Sequence, residues 1–184
     1  MILRPASSSD AAALATLGRD SFVAAFGHLY AKDNLDAFLA AHKTEAAYAA
    51  KLADPGTRAM LAEMDGVLAG FCILTRPSEF ASNSDATNPV ALQQLYTDPG
   101  RTGEGIGARL MDWALAEARA LEADAVQLSV WSGNLGAQRF YARYGFARIA
   151  DIEFLVGSHR DEEFLLELRL PAGLDKPGNR NYSM

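Results

Sequence analysis

Between Leu95 and Leu110 the chain reads Leu-Tyr-Thr-Asp-Pro-Gly-Arg-Thr-Gly-Glu-Gly-Ile-Gly-Ala-Arg-Leu, with glycine at 103, 105 and 107. An apolar strand runs into these alternating glycines, and an amphipathic helix leaves them. In that helix Ile106, Leu110, Trp113, Ala114, Ala118 and Leu121 recur at helical spacing. Glycine permits a tight turn and lets backbone N–H groups come close to a ligand. The helix start adds unpaired donors and the positive end of the helix dipole. Strand, glycine loop and helix together make a phosphate-binding site.

Two well-known phosphate loops do not fit. A Walker-type loop ends in Gly-Lys-Ser/Thr, and Gly105-Ile-Gly107 supplies neither the lysine nor the hydroxyl. Gly103-x-Gly105-x-x-Ala108 matches a dinucleotide fingerprint, but that fingerprint needs an acidic residue closing the next strand. The next strand ends Val130-Trp131-Ser132, and only 77 of the 184 residues follow Gly107, too few for a doubly wound sheet with a substrate domain.

Strands are predicted at 2–4, 58–63, 67–74, 90–97, 125–131, 146–156 and 163–170, and helices at 10–27, 33–41, 44–53, 104–121 and 134–144. Asp65-Gly66 marks a hairpin. Residues 77–89 read as a polar loop. That order predicts a mixed α/β layer around one sheet, a single domain over 1–170, and a flexible tail over 171–184. With 49% apolar and 22% charged residues, wholesale disorder is excluded. The lone cysteine, Cys72, excludes an internal disulfide framework and a cysteine-rich zinc site. It reads as a small buried hydrophobe, and His28, His42 and His159 have no metal-ligand spacing, so no metal is expected. A net charge of −6 argues against sequence-independent binding to nucleic acid or to anionic membranes. No apolar run is long enough to span a bilayer, and Met1-Ile-Leu-Arg-Pro5 is followed by no apolar signal segment. A cytoplasmic protein is expected.

A second constellation follows the strand Leu128–Trp131: Ser132-Gly-Asn134-Leu-Gly-Ala-Gln-Arg-Phe140-Tyr141-Ala-Arg-Tyr144-Gly145-Phe146. Asn134 and Tyr141 are seven residues apart, which on a helix leaves them within about 20° of one face and about 10 Å apart. Gly145 suits the position just past the helix end.

Over about 95–146 these two segments resemble the GCN5-related N-acetyltransferase superfamily. Its loop is commonly Gln/Arg-x-x-Gly-x-Gly/Ala, followed by a strand and an Asn…Phe-Tyr-x-x-x-Gly-Phe segment. The resemblance implies the acyl-CoA N-acyltransferase fold, a single mixed, mostly antiparallel sheet flanked by helices. It also implies direct transfer of an acetyl group from acetyl-CoA to a primary amine. On that basis Leu95, Tyr96 and Thr97 would hydrogen-bond the pantetheine arm. Thr102, Gly103, Glu104, Gly105, Ile106, Gly107 and Ala108 would cradle the pyrophosphate, and Asn134 would contact the arm. Tyr141 would protonate the departing thiolate, since a phenol of pKa about 10 lies near an alkyl thiol at about 8.5. One departure is Thr102, where the family usually has Gln or Arg, and Arg101 or Arg109 is expected to compensate.

The acceptor expected is a small cationic amine. An acidic protein attracts a polycation, and 26–39 with Val156–Leu166 resemble polyamine-acetylating members. A protein or peptide N-terminus, an aminoglycoside, an amino acid, or a non-catalytic acyl-CoA sensor on the same fold remain as alternatives, and the chain is expected as monomer or homodimer. Glu79, Asp85, Asp151 and Glu153 are the candidate proton acceptors. Trp131, Phe26, His28 and Tyr30 are candidates for the acceptor pocket.

Overall fold

The computed structural model describes residues 1–171, so the tail expected over 171–184 lies, Pro171 apart, outside the described residues. Seven strands form one sheet: β1 (Ile2–Pro5), β2 (Thr57–Met64), β3 (Val67–Thr75), β4 (Pro89–Thr97), β5 (Ala125–Trp131), β6 (Ala147–Val156) and β7 (His159–Arg169). Their order is β1-β2-β3-β4-β5-β7-β6. All neighbours run antiparallel except β4 and β5, which are parallel. The helices are α1 (Ala11–Phe26), α2 (Lys32–His42), α3 (Glu45–Ala53), α4 (Ile106–Ala120) and α5 (Leu135–Arg143). The expected mixed, mostly antiparallel sheet is the one observed.

Strand alternation sorts the core into two layers. Phe71 and Ile73 of β3 join Leu61, Leu14 and Tyr48 under α1 and α3. Cys72 and Leu74, which alternate with them along the strand, join Met60, Ile106, Leu110 and Met111 under α4. Burial on both faces is why β3 reads as an unbroken apolar run. A third cluster of Phe22, Phe38, Leu39 and Val156 ties α1 and α2 to the end of β6.

Two elements differ from the sequence reading. Strand β7 begins at His159, not at 163, because Gly157-Ser158 is a tight turn and the polar run 159–162 pairs with β6. The backbone N–H of Ser158 donates to Asn34 Oδ1 at 3.0 Å, which ties that turn to α2. The outer strand β6 is exposed along most of its length, so this hairpin needs no apolar pattern to form. The second is the polar loop at 77–89, which contains a single helical turn at Ala81–Asn83 and is anchored by side chains. Ser78 Oγ donates to Gln127 Oε1 at 2.6 Å, and Gln127 Nε2 donates to Ser84 Oγ at 3.1 Å and Glu167 Oε2 at 2.8 Å. Gln127 is fully buried.

That network pins one end of the β4–β5 pair, and the other end is open. Pairing is confined to Pro89↔Ala125, Val90↔Val126 and Ala91↔Gln127. Just beyond, the β3–β4 register passes from Leu74↔Leu92 to Ile73↔Gln94, leaving Gln93 without an opposite residue. Such a bulge bends its strand and raises the local twist. Past it β4 and β5 diverge, and a cleft opens between them. No helix among the described residues is long and apolar enough to cross a membrane.

Candidate active site

The cleft holds a cavity of about 440 Å³. Eight residues singled out from sequence line it: Leu95, Tyr96 and Thr97 of β4, Thr102, Asn134 and Tyr141, with Phe26 and Trp131. From Leu92 onward the β5-facing edge of β4 has no strand partner, so an extended ligand can lie along it.

The glycine loop closes one end. Asp98 accepts from the Gly100 N–H at 2.8 Å, and Thr102 Oγ1 donates to the Pro99 carbonyl at 3.1 Å, which fixes a single turn at 99–101. Gly103 (φ +89°) and Gly105 (φ +77°) take the left-handed conformation that side chains disfavour. A Cβ at either would touch nothing within 4 Å, so the open side of the loop is bare backbone. Gly105 is the N-cap of α4, which therefore starts at Ile106, two residues later than the 104 expected. No side chain caps α4, and its first helical bond runs from the Arg109 N–H to the Gly105 carbonyl at 3.1 Å. The N–H groups of Ile106, Gly107 and Ala108 are therefore offered outward.

Other expected loop contacts are narrower than the sequence implied. The Glu104 N–H already bonds the Arg101 carbonyl at 3.4 Å. Ile106 is 2% exposed, its side chain in the core, and so it contributes backbone only. The Arg101 guanidinium lies 3.5 Å from Glu104 and 3.8 Å from Asp98. It is thus partly neutralised before any ligand arrives.

Asn134 Oδ1 accepts from the Ala137 N–H at 3.0 Å, so this residue is the N-cap of α5 with its amide NH₂ uncommitted. Tyr141 packs against Phe140 and Phe146. Burial, with the Cys72 thiol beside it, pushes the Tyr141 phenol above its ordinary value, so it stays protonated. Cys72 is fully buried and its thiol is pushed up in the same way. Phe26 and Trp131, both in the cavity wall, stand edge to face at 6.2 Å. Tyr30 donates to Asp161, and His28 is not in the cavity wall.

A second cavity of about 410 Å³ adjoins the first and shares Phe22, Gln94, Tyr96, Ser129 and Glu163 with it. Lys43, in the link between α2 and α3, lies in its wall and is 5% exposed. Lys43 Nζ donates to the Tyr96 hydroxyl at 3.0 Å and sits 4.5 Å from the Tyr96 ring centre. Burial, and repulsion from Lys51, lower the Lys43 pKa to about 7. Lys51 donates to Gln93 Oε1 at 2.6 Å, and burial lowers its pKa against the pull of Glu79. No group of three or more His, Cys, Asp or Glu among the described residues is placed to hold a metal ion.

The profile of the acetyltransferase (GNAT) family matches residues 22–146. The chain belongs to that family. An uncharacterized N-acetyltransferase of Mycobacterium tuberculosis is 32% identical over 162 residues, 86% of this chain and 96% of that protein. An aminoalkylphosphonate N-acetyltransferase of Salmonella typhimurium is 32% identical over 100 residues, covering 54% of this chain and 62% of its own length. Among solved structures, the PaiA N-acetyltransferase of Thermoplasma acidophilum, in complex with coenzyme A, superimposes with a TM-score of 0.75 at 19% identity. It covers 92% of this chain and 98% of that one. As a GNAT enzyme the chain is an acetyl-CoA-dependent acetyltransferase.

Sequence reasoning missed two groups of this acetyltransferase. Glu163 stands opposite Trp131 in the β5–β7 register and lines both cavities. Its Oε2 is buried without a hydrogen-bond partner. Burial raises the Glu163 pKa, with the Ser129 hydroxyl opposing and Asp161 adding to it. It sits in Arg-Asp-Glu-Glu (160–163), which reads as a solvated charge run. Extending the strand back to 159 would have put Asp161, Glu163 and Leu165 on one face. Lys43 carries no motif at all. Of the four expected proton acceptors, Asp85, Asp151 and Glu153 pair with Arg169, Arg148 and Arg160 on exposed surface. Only Glu79 and Glu153 reach the second cavity wall.

Proposed function

We propose that this GNAT enzyme acetylates the primary amine of a small molecule directly, with Tyr141 as general acid and Glu163 as the acceptor of the amine's proton. The observation that carries the reading is the meeting, in the one cleft where β4 lacks a partner, of the Tyr141 phenol and the unpartnered Glu163 oxygen. Tyr96 lines the same cavity, its own phenol raised by burial and by the nearby charges of Tyr48, Tyr141 and Glu163.

Acetyl-CoA supplies a thioester whose acetyl group passes to nitrogen as the C–S bond breaks. The unpaired edge of Leu95–Thr97 and the Asn134 amide would hold the pantetheine arm. The N–H groups of Thr102, Gly103 and Gly105–Ala108 would hold the pyrophosphate, which compensates for the missing Gln or Arg at 102. An alkylammonium of pKa about 10.4 costs about 4–5 kcal/mol to deprotonate at neutral pH. Glu163 takes that proton, and burial makes its carboxylate a stronger base than a solvated one. Tyr141 gives a proton to the leaving sulfur, a role worth about 10²–10⁴-fold in rate.

A small acceptor is supported by the size of the second cavity, about 410 Å³, which suits a small ligand better than a protein chain. It is also supported by the Salmonella relative, named for aminoalkylphosphonates. The test is thiol release from acetyl-CoA with a panel of amines. Tyr141→Phe and Glu163→Gln should each lower kcat about 100-fold or more, with acetyl-CoA affinity held within about threefold. Wild-type turnover in both variants would overturn the assignment, and binding with no turnover for any amine would make the chain a sensor.

A further inference from the structure

Resting on the reading of the cleft as an amine-acetylating site, we infer that the acceptor carries an acid group, carboxylate or phosphonate, which seats on Lys43 and Lys51 while its amine points to Glu163. The acceptor would then be a zwitterion, in place of the polycation suggested by net charge.

A buried cation needs a counter-charge, because leaving one unpaired in a low-dielectric site is costly. Lys43 is 5% exposed, and among the described residues no carboxylate pairs with it. Its neighbour of consequence is a second cation, Lys51, which is itself held by the neutral oxygen of Gln93. Two lysines of like sign face one cavity, and its three acids are otherwise placed: Glu153 pairs with Arg160, Glu79 acts on Lys51, and Glu163 is kept for the amine's proton. The Tyr96 hydroxyl accepts from Lys43, which leaves its O–H free to donate to an anion. Phe22 and Phe38 supply apolar wall for a short alkyl spacer. Glu163 lines both cavities, whereas Lys43 and Lys51 line only the second and Tyr141 only the first. The cavities therefore run from acid-binding end to thioester end, and an amine joined to an acid by a few carbons spans them.

The test uses the full chain with acceptors of matched length: 3-aminopropanoate, 3-aminopropylphosphonate, propylamine and 1,3-diaminopropane. With acetyl-CoA saturating, kcat/KM for at least one acid-bearing amine should exceed that for propylamine at least tenfold. Lys43→Gln should bring that ratio close to one. Lys51→Gln, at a less buried site, should lower it in the same direction if the first variant folds poorly. Calorimetry supplies a readout apart from turnover. With coenzyme A present to fill the glycine loop, propanoate or propylphosphonate should bind wild type at least tenfold more tightly than Lys43→Gln, and the stronger of the two acids identifies the group. Propylamine or the diamine matching the acids, or equal acid binding by wild type and variant, overturns the inference. Lys43-dependent acid binding without acetylation of any amine would sink the transfer reading and leave the acid site standing.

Discussion

Replacing Lys43 by methionine keeps the length of the side chain and removes its charge, and the consequence for stability depends on pH in a calculable way. Burial lowers the Lys43 pKa from 10.5 to about 7, so the folded protein carries a penalty of about 5 kcal/mol wherever both folded and unfolded chains hold the proton. That penalty is fully present below pH 7. It shrinks as pH rises, since the folded chain then releases a proton that the unfolded chain keeps, and it is gone above about 10.5. At pH 9 about 2 kcal/mol remains, so the stability gained by Lys43→Met should narrow by about 3 kcal/mol between pH 6 and pH 9. Loss of the bond to Tyr96 subtracts about 1 kcal/mol from the variant at either pH and leaves the slope untouched. Repulsion from Lys51 is already contained in that shift and adds nothing further to the slope. Urea unfolding reads the effect. With a denaturant slope near 2 kcal/mol per molar, the gap between the two midpoints should close by about 1.5 M. A gap that stays constant from pH 6 to pH 9 would refute the buried, unpaired state of Lys43 and remove the footing of the acid-binding site.

Gly105→Ala places a side chain at φ +77° with no neighbour to strike, so its cost is conformational, about 1–2 kcal/mol, seen as a fall of several degrees in Tm. Asn134→Ala should lose the cap of α5 and about 1 kcal/mol of stability. Asn134→Ser should keep the cap but weaken acetyl-CoA binding in calorimetry, which separates the two roles of that residue. Arg4 holds the Asp10 carboxyl well below the usual carboxylate range through two hydrogen bonds, at 2.8 and 2.9 Å. The stability Asp10 supplies is therefore complete above about pH 4 and lost as pH falls further. Asp10→Asn should flatten the acid limb of a stability–pH curve, and an unchanged limb would count against the pair.

The half of the cleft proposed to hold acetyl-CoA was legible as a loop and two helices because its determinants are local. Gly103 and Gly105 announce a left-handed loop, Ile106–Leu121 announces an amphipathic helix, and Asn134 with Tyr141 fall on one face by spacing alone. The acceptor half was not, because its determinants are long-range. Lys43 becomes buried only when the α2–α3 link closes over Tyr96, fifty-three positions away in the chain. Glu163 becomes a site residue only when β7 pairs with β5 and turns it beside Trp131. Arg101 was expected to aid the loop on proximity in sequence, and side-chain geometry instead gives it to Asp98 and Glu104.

One signal for the acceptor half was present in β4 itself. Leu92-Gln93-Gln94-Leu95 breaks strict alternation, since in a regular strand Leu92 and Leu95 would face opposite sides. The bulge puts both leucines with the α4 layer and turns both glutamines to α3, where Gln94 accepts from the Tyr48 hydroxyl at 2.9 Å and Gln93 accepts from Lys51. The same irregularity that parts β4 from β5 thus also fixes the floor of the acceptor cavity and the position of one of its lysines. The proposed donor edge and the proposed acceptor pocket are products of a single defect in the sheet. Restoring a regular register there would be expected to close the cleft and displace Lys51 together, even though no residue of the glycine loop had changed.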